Sequence, residues 1–247
     1  MSNPYLTKTF EEVGHSNGNV MTVGGAVQKT IMLAMILFVL MGVSWYELGQ
    51  DGLFFGINPT MALLGSGVLG LVTILAATFV KSIVVPAAFI YAVLEGVFLG
   101  VLTFIVNGLY PGLPLIAGGA TATTMVGVLI LYQLGILRAT PAFIKIVIGA
   151  TVGLLLFVGF TFLLSLFGMT GIRETIYGSG PIGIGFSLFC VGLAALNLVI
   201  DFHVIEQGAE QRAPKRMEWH AALGLLVTLI WLYVEILRLL MKLQSRD

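Results

Sequence analysis

The stretch FIKIVIGATVGLLLFVGFTFLLSLF, residues 143–167, decides which solvent this chain folds in. After Lys145 it has no charged side chain, and its only hydroxyls are Thr151, Thr161 and Ser165. A helix needs about 20 mostly apolar residues to cross the hydrocarbon core of a bilayer. This run is long enough. It is also continuous rather than alternating, so it reads as a spanning helix and not as a barrel strand. Six further runs of the same kind lie at 27–46, 61–80, 83–106, 114–134, 181–203 and 219–241. Pro59, Pro111, Pro114, Pro141 and Pro181 fall between runs or at helix starts. Pro86 falls in a first turn, where a missing N–H is tolerated.

Composition points the same way. Hydrophobic residues make up 58% of the chain and charged residues 10%, against roughly 25% charged in an average soluble domain. Too little charge is available to cover a water-soluble surface of this size. The expected fold is therefore all-α: a polytopic integral membrane protein with seven transmembrane helices. It divides into a polar N-terminal tail over 1–26, a membrane domain over 27–243 and a short tail over 244–247. The polar start, with Glu11 and Glu12, does not resemble a cleaved signal peptide. The formal net charge is zero, which gives no pull towards nucleic acid. Cys190 is the single cysteine, so no disulfide can form within the chain.

Lys and Arg set the orientation. Lys8, Lys29, Lys81, Arg138, Lys145, Arg212, Lys215 and Arg216 fall on one side of the seven spans, and Arg173 falls on the other. The N-terminus is predicted to be cytoplasmic, in a multi-pass protein of the inner (plasma) membrane. Seven spans then put the C-terminus outside, against the pull of Arg238, Lys242 and Arg246. Trp45 and Tyr46 read as interfacial anchors. Gly96 with Gly100, and Gly149 with Gly153, have the spacing that lets helices approach closely in lipid.

Few residues are suited to chemistry. GSGPIG, residues 178–183, matches a dinucleotide fingerprint in letters only. It follows no strand and precedes a span, so it reads as a loop closed by Pro181. Among His15, His203 and His220, only His203, Glu206 and His220 could meet as a zinc site, and their spacing is not that of a metal motif. No nucleophile or metal set lies at depth, so the chain does not read as an enzyme and implies no cofactor. What remains are acids within spans, which are expensive in hydrocarbon and normally face protein or water. Glu95, in YAVLEGVFLG, is the most isolated; Gly96 could give it room and Tyr91 a hydrogen bond. It is either a titrating or ion-path carboxylate or a protonated packing group. Asp201 ends the sixth span, with Asn197 one turn earlier on the same face. His203 and Glu206 point elsewhere and read as an interfacial turn. Gly224, Thr228, Trp231, Glu235 and Arg238 form one stripe on the seventh span, where Glu235 and Arg238 can pair.

Three blocks carry a resemblance: YAVLEGVFLG, SGPIGIGFSLFCVGLAALNLVIDFHVIEQG and APKRMEWHAALGLLVTLIWLYVEILRLL. In their order across seven spans, the sequence resembles the Bax inhibitor-1 (transmembrane Bax inhibitor motif) superfamily, in its bacterial YccA-like branch. The resemblance implies a last helix surrounded by the other six and a pH-sensitive calcium leak. It also implies two aspartates, one late in the sixth helix and one in the seventh, that share a proton when the path is closed. Asp201 matches the first of these. The second falls on Thr228, with Glu235 seven residues further on and Arg238 on the family arginine. The family's basic latch in the second helix has no counterpart before Lys81. The expected function is a pH-modulated cation leak using Asp201, Glu95, Thr228 and Glu235, supported by Asn197 and Arg238. Calcium or protons would bind only transiently, since calcium favours more oxygen ligands than these. The alternative is a non-transporting regulator that meets a membrane protease through its polar tail. Lipid is the partner common to both readings.

Overall fold

In the computed structural model, residues 20–245 are described. The tail residues Lys8, Glu11, Glu12 and His15 lie outside them, as does Arg246. Among the described residues, eight α-helices follow in chain order: α1 (Val23–Asp51), α2 (Pro59–Phe79), α3 (Val84–Leu109), α4 (Leu113–Gln133), α5 (Pro141–Leu166), α6 (Gly171–Tyr177), α7 (Pro181–Glu210) and α8 (Met217–Gln244). A single 3₁₀ turn, Lys81–Ile83, leads into α3. All except the seven-residue α6 are long and apolar enough to cross a membrane. The protein is an all-α, polytopic membrane protein. Its surface shows the solvent: Phe79, Leu115 and Phe167 are each more than 80% exposed, a distribution that only lipid makes favourable.

Local chemistry sets the helix ends. Pro59 and Pro141 open α2 and α5. Before them, Asn58 accepts a hydrogen bond from Thr60 N (2.9 Å) and Thr140 accepts one from Phe143 N (3.2 Å). Gly52 closes α1 in the left-handed conformation, at φ 77°. The first helix starts earlier than its apolar run, at Val23, because Thr22 caps it by accepting from Gly25 N at 2.9 Å. α7 likewise runs beyond residue 203 to Glu210, so His203 and Glu206 are helical and not part of a turn. The short α6 was not expected; it occupies the connection between the fifth and sixth spans.

The chain forms two compact units, each built from separate stretches of sequence. The first comprises the chain up to Leu102 together with His203–Leu226. Here α1 lies directly on α3. A Cβ at Gly96 would sit 2.7 Å from Leu37 O and Leu40 Cβ, and one at Gly100 would sit 2.5 Å from Ser44 Cβ. These two glycines are where close approach was expected. The start of α1 is stapled to the start of α8. Glu218, only 1% exposed, receives hydrogen bonds from Thr22 N (2.9 Å) and Thr22 Oγ1 (3.2 Å) and an ion pair from Lys29. Gly25 leaves room for that carboxylate. The Lys29 ammonium also lies 5.3 Å from the centre of the Trp219 ring. Met21 N donates to Ala213 O at 2.7 Å, and Arg216 reaches Ser82 O.

The second unit comprises Thr103–Phe202 and the chain from Val227 on. Its core joins Val147 and Leu154 of α5 to Cys190 and Leu193 of α7, with Phe143, Phe186 and Trp231 packed against them. Gly149 and Gly153 differ from the expectation: a Cβ at either would meet nothing within 4 Å. They lie on an open side of α5, the least buried of the seven spans at 11%, against 56% for α8.

Two tests follow from this packing. Gly96→Ala and Gly100→Ala should each destabilise the protein by about 1–3 kcal/mol through overpacking. Gly149→Ala should be neutral or stabilising, because alanine is the better helix former by about 0.5–1 kcal/mol. Thermal unfolding in detergent separates the two classes. Glu218→Gln should cost about 1.5–3 kcal/mol, since the half-buried Lys29 would lose its charged hydrogen-bond partner. The double variant with Lys29→Met should recover part of that loss in the same assay.

Candidate functional site

Glu95 belongs to the first unit. It is 8% exposed, and Tyr91, one turn back on α3, hydrogen-bonds its carboxyl group. The Tyr91 contact is the expected one, but the room comes from elsewhere. Gly96 is occupied with α1, whereas Glu95 Oε1 lies 2.8 Å from where a Cβ at Gly70 of α2 would be. The acid fills a notch that α2 leaves by carrying glycine there.

The second unit holds the other residues singled out from the sequence. Asp201 lies on α7 and Thr228 on α8, and the Thr228 hydroxyl hydrogen-bonds the Asp201 carboxyl group. The other carboxyl oxygen, Oδ2, is buried without a hydrogen-bond partner among the described residues. Buried polar atoms are nearly always satisfied, so an orphaned carboxyl oxygen calls for a proton, a cation or a water molecule. Thr228 donates a hydrogen bond, but it cannot share a titrating proton as a second carboxyl would. Asn197 is engaged elsewhere: its amide nitrogen donates to Thr151 Oγ1 and to Leu193 O, each at 2.9 Å.

Glu235 is engaged with Arg238 instead. It is 6% exposed, and both of its oxygens face Arg238 Nη1, at 2.8 and 3.0 Å. The pairing three residues apart is the one the sequence suggested. Arg238 also lies 5.4 Å from the centre of the Tyr177 ring on α6. Further along the same helix, Lys242 turns inward instead of reaching for water. It is 4% exposed and donates to Ile176 O (2.7 Å), Gly183 O (2.8 Å) and Ser187 Oγ (2.8 Å). The end of α6 and the start of α7 thus present oxygens to an ammonium.

Three contributors escaped the sequence reading: Glu218, Lys242 and Gly70. Lys242 alone left a trace, since it continues the Glu235–Arg238 face by four residues. Of the histidines, His203 is half-buried and Glu206 exposed. No group of three His, Cys, Asp or Glu side chains converges as a metal site among the described residues.

Comparison with known families places this arrangement. The family model described as Bax inhibitor 1 like matches residues 3–245. Comparison with curated proteins and with solved structures gives no match. The match covers nearly every residue and all seven spans, and the chain belongs to the Bax inhibitor 1 like family.

Proposed function

We propose that this protein is a pH-modulated cation leak, with calcium as the conducted ion and Asp201 as its principal carboxylate. The observation that carries the reading is the buried, unpartnered Oδ2 of Asp201, beside a Thr228 that can satisfy only part of the carboxyl group. An acid retained in the membrane without a full set of partners is a functional site by default. Glu95 is the second path carboxylate, buried in its Gly70 notch with Tyr91 as donor. Glu235 holds Arg238 in place and tunes the field along α8. Because Thr228 replaces a second carboxyl, protons act here on separate acids and not on a shared pair.

The N-terminus is cytoplasmic in this reading, in a bacterial inner membrane and in the YccA-like branch. The Lys and Arg distribution supports the orientation. Two cations that oppose it are not loose tail charges: Arg238 is paired with Glu235, and Lys242 is buried among oxygens. Asp201 then lies towards the cytoplasmic side. The competing reading, a regulator of a membrane protease that transports nothing, depends on the polar tail.

Purified protein in liposomes loaded with a calcium dye tests the reading. Asp201→Asn should lower the initial flux about tenfold, equivalent to about 1.4 kcal/mol in cation binding. Glu174→Gln, on the exposed side of α6, should leave it unchanged. Unaltered flux in the combined Asp201→Asn and Glu95→Gln variant would exclude the carboxylate path. Absence of flux in the native protein, with partner capture lost on deleting residues 2–20, would favour the regulator.

A further inference from the structure

The face of α8 that carries Thr228 and Glu235 continues to Arg238 and Lys242. At 3.6 residues per turn, all four lie within about 80° of rotation, and the face rises about 21 Å from Thr228 to Lys242. It begins beside an unpartnered carboxyl oxygen and ends in two cations.

Lys242 is unusual in its surroundings. A lysine in the last turn of a membrane helix normally extends its flexible stem to the interface. This one turns back and buries its ammonium among three neutral oxygens, one from α6 and two from the first turns of α7. An ammonium has three N–H donors and no acceptor, and each donor finds one oxygen. Among the described residues no carboxylate is a hydrogen-bond partner of Lys242, and both oxygens of Glu235 are on Arg238. Ser187 is fully buried, and the Tyr177 ring centre lies 6.0 Å from the ammonium. Neutral oxygens converging on one point are how proteins hold a partly dehydrated cation. If only packing mattered, an apolar side chain of the same volume would serve as well or better than a buried charge.

We propose that Lys242 is a tethered cation: its ammonium fills an oxygen cage at the end of the acid-bearing face of α8 and stops mobile cations there. The proposal rests on the reading of Asp201 as a path carboxylate. The cage is one for a monovalent cation or a primary alkylammonium. Its oxygens stand 2.7–2.8 Å from the nitrogen, wider than the about 2.3–2.6 Å of calcium sites. They also lack the carboxylates that a divalent ion favours. Arg238, held by Glu235 and stacked near Tyr177, forms the second layer of the stopper.

The test is chemical rescue in proteoliposomes. Lys242→Ala should raise the leak severalfold. Propylammonium, which carries the atoms removed beyond Cβ, should lower it again, whereas tetramethylammonium, which has no N–H donor, should not. Adding Asp201→Asn to Lys242→Ala should abolish the extra leak. An unchanged leak in Lys242→Ala, with flux still sensitive to Asp201→Asn, would overturn the stopper and leave the path standing. Extra leak that ignores Asp201→Asn would also overturn it. No flux in either native protein or Lys242→Ala would remove path and stopper together. If Lys242→Ala does not elute as a single folded species, Ser187→Ala replaces it. That variant keeps the lysine but deletes one acceptor; a smaller rise in leak supports the proposal, and an unchanged leak overturns it.

Discussion

A polar atom in hydrocarbon has no water to fall back on, so its partner must come from the protein. That constraint shapes most of the side-chain chemistry in this molecule. Several hydroxyls within the spans return to their own helix: Thr30 to Ala26 O, Ser44 to Leu40 O, Ser66 to Ala62 O and Thr121 to Ala117 O. Glu218 gathers two hydrogen bonds from Thr22 and an ion pair from Lys29. Lys242 collects three oxygens, and Glu235 holds Arg238. Against that background the Oδ2 of Asp201, without a hydrogen-bond partner among the described residues, is informative.

What could be read from the sequence was what depends on near neighbours. A span announces itself by length, and a proline or capping residue marks its start within a few positions, as at Asn58–Pro59 and Thr140–Pro141. The Glu235–Arg238 pair was legible because three residues place two side chains on one helical face. The glycines show where such reasoning stops. Gly96 with Gly100 and Gly149 with Gly153 share a spacing, yet the first pair touches α1 and the second faces open space. Spacing says that one side of a helix is thin; it does not say whether another helix is there. Glu218 and Lys29 are 189 residues apart, and Lys242 finds its acceptors 55–66 residues away. Pairings of that range follow from the fold and leave no local pattern.

The family resemblance implies a pair of carboxyls across the sixth and seventh spans, and the sequence matches one of them, Asp201. Thr228 falls on the implied second position and hydrogen-bonds Asp201, a pairing that lacks the acid–base chemistry of two carboxyls. A hydroxyl can orient a carboxyl group and can help coordinate a cation. It cannot hold a negative charge at neutral pH, and so it does not set two like charges against each other. The repulsion that makes a carboxyl pair cooperative towards protons is therefore removed at its source.

The staple between Thr22, Lys29 and Glu218 also bears on how the molecule is made. Lys29 lies in the first helix, and its carboxylate arrives with the last. Until α8 has been synthesised, the ammonium has no Glu218 to pair with. A chain halted before α8 carries that ammonium, and the cap at Thr22, with no acid to meet them. The ion pair thus distinguishes a finished protein from an unfinished one, and quality control that senses exposed charge at the membrane surface has a difference to act on.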